Sequence, residues 1–267
     1  MNYYVIQTSF NMNKFLTTVI LQIILSIQLS AQYSTLNAHS HNDYENDLPF
    51  WLAYNNHFGS VEADIWAING DLFVAHYEKE ISPHRTLDSL YINPVVRMVR
   101  KNQGSAWKDI PGTFQLLIDL KTAVEPTLTL LVQKLLQYPD VFDPYINKKA
   151  VRIVISGNRP KPSEFSNYPR FVFFDGLLNQ NYTRRQLKRV PLYSENFRTL
   201  STWDGSGGII NKEKMRLQHV IDSVHSIKKK IRFWNSPDNM NAWKTFQMMG
   251  IDYINTDHIV ELTEFLK

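Results

Sequence analysis

The chain has no cysteine, little net charge and no long uninterrupted apolar run. Without cysteine, an amino terminus lipid-modified on that residue is excluded, and thiol content gives no guide to redox compartment. The 29 Lys and Arg against 25 Asp and Glu leave +4, a mild excess that gives no basis for nucleic-acid binding. Lys228 to Lys230 is one short basic run, read as a solvated helix end that complements the helix dipole. The most apolar stretch, Phe15 to Ala31, is interrupted by Gln22, Ser26 and Gln28, whereas a spanning helix needs about 20 mostly apolar residues. No short-period repeat and no low-complexity linker divides the chain.

Residues 1–31 therefore read as a secretory signal peptide, and not as a membrane anchor. Lys14 supplies the basic start, a short apolar centre follows, and Ala31 before Gln32 marks the expected cleavage point. Met12, two residues before Lys14, is an alternative start. The expectation is an exported protein, periplasmic or extracellular, with no stable membrane span after cleavage. Lys14 is the sole charge lost, so the net charge falls from +4 to +3. Residues 32–267 remain, enough for one large domain with a substantial core.

Apolar strand-like runs alternate with helical stretches across that domain, which favours parallel βα units. Strands are expected near Thr35 to His39, Val61 to Ile65, Phe114 to Leu120, Val151 to Ser156, Phe171 to Asp175, Pro191 to Phe197, Ile231 to Asn235 and Tyr253 to Thr256. Eight such runs predict an α/β fold of the TIM-type (β/α)8 barrel, in a single domain. Helical periodicity is clearest over Pro126 to Gln137, Lys212 to Ile227 and Pro237 to Met249, the last with Ser236 as N-cap, Pro237 at the first helical position and Gly250 beyond its end. Between Glu78 and Ile110 a helix such as Pro94 to Lys101 is expected inside a longer loop, and Ser201 to Gly208 reads as a Gly-rich excursion.

Chemistry concentrates between His39 and His76. Glu62 and Asp64, two apart in a strand, point to one face, so their carboxylates can meet one cation. Val61, Ala63 and Ile65 suit the opposite face. A hard, oxygen-preferring divalent ion, Mg²⁺ or Ca²⁺, suits this pair, and the amide oxygen of Asn42 can complete the set without adding charge. His41 and His76 then stand as proton-transfer groups, since imidazole titrates near neutral pH. Barrel active sites lie at the C-terminal ends of the strands, and polar residues collect there. Asp119 with Lys121, Ser156 with Asn158 and Arg159, Ser194 with Glu195, and Trp234 all fall at such ends. Asp175, Asn235 and Asp257 do too, but are expected as caps or loop residues. Lys121 and, in a Pro-rich loop, Arg159 are candidates for neutralising a phosphate oxygen.

Ser-His-Asn at 40 to 42, Glu-Ala-Asp at 62 to 64 and Val-Ala-His at 74 to 76 resemble the first two strands of the phospholipase C-like phosphodiesterase superfamily, which includes glycerophosphodiester phosphodiesterases and phosphatidylinositol-specific phospholipases C. The nearest likeness is to a bacterial and fungal group with a His-x-His-Asn-Asp-Tyr opening, to which the yeast altered-inheritance-of-mitochondria type protein belongs. The run from Asn235 to Asp257 is similar to the closing helix and strand of glycerophosphodiesterases, so the resemblance covers nearly all of the chain after residue 34. It implies His41 and His76 as the acid/base pair and Asn42, Glu62, Asp64 and Asp119 as ligands of one divalent cation. Many relatives carry Glu where Asp119 stands, a departure that bears on the metal, and many glycerophosphodiesterases have Arg where Asn42 follows His41, so the motif by itself does not fix a glycerol phosphodiester as the substrate.

The expected activity is a metal-dependent phosphodiester hydrolase acting on a glycerophosphodiester or phospholipid-headgroup type substrate by acid-base catalysis of His41 and His76, with either a neighbouring substrate hydroxyl or water as nucleophile. Tyr44, Trp66, Tyr77, Trp203 and Trp234 are candidates to wall a headgroup pocket, and His39 is assigned a supporting role. Three alternatives stand beside it. His39-Ser-His41 also suits a multi-metal phosphoesterase of the polymerase-and-histidinol-phosphatase type, the barrel suits a non-catalytic phosphate- or sugar-binding module, and the two-His, Glu-x-Asp plan suits a lyase.

Overall fold

The computed structural model describes residues 33–267; the expected signal peptide lies outside the described residues. Among the described residues nine strands run β1 (Ala38–Ser40), β2 (Ser60–Ile68), β3 (Asp71–Val74), β4 (Gln115–Leu120), β5 (Arg152–Gly157), β6 (Val172–Gly176), β7 (Leu192–Asn196), β8 (Lys230–Trp234) and β9 (Ile254–Thr256). They are ordered β8-β7-β6-β5-β4-β2-β1-β9, every neighbour on that path pairing parallel. The seam between β8 and β9 has a single isolated β-bridge, Arg232 to Tyr253, in place of a ladder, so the eight parallel strands form a nearly closed barrel.

Two strand expectations need correction. Thr35–Asn37 is a 3-10 turn, because Ser34 caps it and the Asn37 side chain returns to the Ser34 backbone; pairing begins only at Ala38. Leu72 to Val74, absent from the eight expected runs, forms β3, antiparallel to β2 across the Asn69-Gly70 turn, in which both residues have positive φ. This hairpin carries His76 back over the end of β2.

The long helices are α1 (Asn93–Lys101), α2 (Val124–Leu135), α3 (Asn211–Ser226), α4 (Met240–Met249) and α5 (Ile259–Leu266). In α3, Leu217, Ile221 and Val224 recur at the helical period and are buried, which turns one face to the barrel. Helix α4 starts later than expected, with Asn239 as N-cap accepting from Ala242 N, and ends at Gly250 with φ of 83°. Pro237 to Asn239 stay outside the helix, and the Asp238 side chain accepts bonds from elsewhere. Its carboxylate takes the Thr256 hydroxyl at 3.0 Å, the Asp257 N–H at 2.7 Å and the Trp243 indole N–H at 2.7 Å, tying α4 to the end of β9.

Strand alternation divides the inward side chains into layers. Leu117, Val154, Leu192 and Tyr253 form a buried apolar cluster, with Phe173 packed against it. Two residues further along the same strands, Asp119, Ser156 and Ser194 replace apolar side chains with polar ones, so the barrel is plugged below and polar above. That polar end is the C-terminal end of the strands, where barrel chemistry resides.

Candidate active site

Parallel register assembles the carboxylates. Asp64 on β2 pairs directly with Asp119 on β4, and Glu62 lies two residues earlier on the same face. Glu62, Asp64 and Asp119 each offer a ligand atom, and these atoms all lie within 4.8 Å of one another. Glu62 and Asp119 border a cavity of about 380 Å³ whose walls include His41, Asn42, His76, Lys121, Arg159, Asp175, Arg232 and Trp234, and Asp64 is buried beside them.

Each carboxylate has one oxygen held by the protein. Glu62 Oε2 lies 2.8 Å from His39 Nε2 and accepts from Arg232 Nη1 at 2.6 Å. Asp64 Oδ2 accepts from the Tyr44 hydroxyl at 2.7 Å and from Lys121 Nζ at 2.9 Å, and His76 Nδ1 is 3.2 Å away. Lys121 Nζ also reaches Asp119 Oδ1 at 3.1 Å. The other oxygen of Asp64, Oδ1, is buried with no hydrogen-bond partner. A buried, unpartnered carboxylate oxygen is costly in an otherwise satisfied interior. The donor set is all oxygen, anionic and convergent, which suits a hard divalent cation.

The electrostatics follow from these contacts. Burial would raise Glu62, but the Arg232 guanidinium and the His39 bond outweigh it and hold the group well below the usual carboxylate range. Asp64 is pushed up to about 6 by burial and by the Glu62 charge, against the pull of Lys121. Lys121 is raised, because its two carboxylate partners overcome the effect of burial. His39 is fully buried and lowered to about 3, by burial first and Arg232 second, so it is neutral. With Nδ1 against Ser60 Oγ at 2.8 Å and Nε2 against Glu62, His39 links β1 to β2 beneath the carboxylates.

The two cavity imidazoles are held alike. His41 Nδ1 lies 2.8 Å from Asp257 Oδ1. Burial lowers the His41 pKa, yet the Asp257 bond and the charges of Glu62 and Asp257 leave it raised. His76 Nδ1 sits 3.2 Å from both Asp64 Oδ2 and the Tyr44 hydroxyl. A carboxylate beside Nδ1 keeps the proton there and leaves Nε2 as the nitrogen offered to a ligand. Asn42 adopts a left-handed backbone (φ 43°) and its amide oxygen accepts from Tyr44 Oη at 2.9 Å, beside Asp64.

Other expected residues are engaged differently. Lys121 is ion-paired to two carboxylates, not standing free for a ligand. Arg159 turns back to donate to the Asp175 carbonyl at 2.5 Å, with its guanidinium 3.6 Å from the Asp175 carboxylate. Of the five aromatics, only Trp234, 40% exposed, lines the cavity. Tyr44 is inside the hydrogen-bond network, Trp66 donates to the Ala75 carbonyl and Trp203 packs on Phe246. Asp257 and Asp175, expected as caps or loop residues, instead hold His41 and border the cavity, whereas Asn235 remains in a loop. Arg232 is not among the residues expected at the site, although a charge between apolar Ile231 and Phe233 in a strand is the sequence sign of an inward polar position.

The AIM6-like phosphodiesterase domain matches residues 27–175, and the glycerophosphoryl diester phosphodiesterase family matches residues 230–259. The chain is 29% identical over 302 residues to altered inheritance of mitochondria protein 6 of Kluyveromyces lactis, covering 86% of this chain and 72% of that protein. It is 26% identical to the Arthroderma benhamiae homolog, covering 83% and 81%. Among solved structures, a glycerophosphodiester phosphodiesterase from Parabacteroides distasonis has a TM-score of 0.52 at 13% identity, covering 86% of this chain and 96% of that one. An Oleispira antarctica phosphodiesterase in complex with the product sn-glycerol-3-phosphate also has 0.52, at 9% identity, covering 86% and 95%. At such identities these likenesses show the barrel fold alone. The expectation of export is corrected: the curated relatives are named for the inheritance of mitochondria, a process inside the cell, and not for secretion. With more than half of its length matched, the chain belongs to the family of the AIM6-like phosphodiesterase domain.

Proposed function

We propose that the protein is a metal-dependent phosphodiester hydrolase, with His41 and His76 as its proton-transfer pair. The observation that carries this reading is the shared arrangement of the two imidazoles in one cavity, each with a carboxylate at Nδ1, beside three convergent carboxylates that include the unpartnered Asp64 Oδ1. Glu62, Asp64 and Asp119, with the Asn42 amide oxygen, are the residues that would hold one divalent cation, which supplies charge neutralisation to a phosphate oxygen. One imidazole takes the proton from the attacking hydroxyl and the other returns one to the leaving alcohol. Asp257 and Asp64 keep each ring in the tautomer that allows this. Lys121 and Arg159 add positive charge on the cavity wall, and Trp234 offers an aromatic face.

A small phosphodiester is supported by the cavity size and by the sn-glycerol-3-phosphate found with the Oleispira neighbour. Among the described residues no helix is long and apolar enough to cross a membrane. Only His41 and His76 line the cavity among the described histidines, which speaks against a multi-metal phosphatase needing several more.

The test is hydrolysis of bis-nitrophenyl phosphate, then of glycerophosphodiesters, phosphoinositides and lysophospholipids, across divalent metals. His41→Ala and His76→Ala should each lower turnover by about 10²- to 10⁴-fold, and chelator should abolish it. Near-full activity in either variant, or indifference to chelator, would overturn the proposal.

A further inference from the structure

We infer that Arg232 is a positioning residue for the carboxylate cluster: it fixes Glu62 as a one-oxygen ligand and weakens the hold on a divalent cation. This rests on the metal reading above. Arg232 is 3% exposed on β8, inside the barrel, where its alternating neighbours Ile231 and Phe233 are apolar. Its Nε bonds Ser194 Oγ at 3.2 Å, and its Nη1 reaches Asn255 Oδ1 at 3.0 Å and Glu62 Oε2 at 2.6 Å, with His39 Nε2 close to the same nitrogen. The planar fork is buried and anchored on three strands, through Ser194, Glu62 and Asn255, which holds it in place.

Two consequences follow. Glu62 Oε2 is taken by Arg232 and His39, so only Oε1 remains for a cation, and Glu62 cannot bind through both oxygens. The three carboxylates also face two positive charges, Lys121 and Arg232. Lys121 is 27% exposed on a flexible stem and can move away when a cation arrives, whereas Arg232 cannot. Arg232 therefore offsets part of the cluster's negative charge without metal, and opposes metal when it comes.

Calorimetric titration with Mg²⁺ and Ca²⁺, alongside thermal unfolding with and without cation, tests this in the whole chain. Arg232→Gln removes the charge but keeps an N–H for Glu62. It should bind the cation at least about tenfold more tightly and gain more thermal stability from it than wild type. Arg232→Lys, which restores the charge, should return affinity towards the wild-type value. If wild type binds and Arg232→Gln binds no more tightly, or if Arg232→Lys behaves like Arg232→Gln, the inference is overturned alone. A wild-type chain that binds neither cation overturns the metal reading, and this inference with it.

Discussion

The Nδ1 of His41 and the Oδ1 of Asp257 stand 2.8 Å apart across 216 positions of sequence. Pairing of β1 with β9, Ser40 opposite Thr256, brings them together, and His41 N–H adds a bond to the Thr256 carbonyl at 3.0 Å. The last strand of the barrel thus orients a side chain that follows the first.

Asp257→Ala should lower kcat by about tenfold to a hundredfold, less than His41→Ala, whose expected loss is the about 10²- to 10⁴-fold of a lost acid/base group. The smaller effect follows from exposure, because the Asp257 side chain is 60% exposed and water replaces part of its role. Asp257 raises His41, so its removal should move the limb of the pH–rate profile that belongs to His41 to lower pH. Steady-state kinetics across pH decide it, and an unmoved profile counts against the contact.

Gly157 has φ of +65°, and a Cβ there would meet Asp119 Oδ1 at 2.4 Å and the Leu120 carbonyl at 2.6 Å. Gly157→Ala should cost about 1–2 kcal/mol for the left-handed backbone and displace Asp119 from the cluster. The expected signature is weaker divalent-cation binding by calorimetry as well as a lower unfolding midpoint. Unchanged cation affinity would show that Asp119 is not constrained by this approach.

Asp43 is fully buried and accepts from Ser40 Oγ at 2.8 Å, Phe50 N at 2.5 Å and Tyr91 Oη at 2.9 Å. Burial dominates those bonds and pushes its carboxyl up from 3.8 to about 6. A raised folded pKa means its stabilisation is full below the unfolded value and is lost as pH rises through about 6. Relative to Asp43→Asn, the wild type should lose about 3 kcal/mol of stability over that window. Urea unfolding at several pH values measures the difference, and a difference that does not vary with pH rejects the assignment.

Much of the barrel was legible because βα alternation is a local pattern, and the i, i+2 spacing of Glu62 and Asp64 states that both share a face. The β2–β3 hairpin was less so: Leu72 to Val74 is short, and an antiparallel excursion from a parallel sheet interrupts the expected rhythm. Ser236-Pro237 carried a helix-start signal, but Asp238 had stronger acceptor duties at the end of β9 than in a first helical turn.

The residues that position the candidate groups were the hardest to read. Tyr44, expected as a pocket wall, instead donates to Asn42 and Asp64 and lies in contact with His76 Nδ1. Arg232 and Asp257 act on partners 170 and 216 positions away, and nothing near them in sequence names those partners.

By itself the sequence determined which side chains can ionise, where most of the parallel strands form and which faces of them point inward, since these follow from composition and a period of two. Tertiary structure alone decided which carboxylate oxygen is occupied and which is left bare, and which acid holds which imidazole. Those choices depend on strand register and barrel closure, and a shift of one residue in either would bring different side chains face to face.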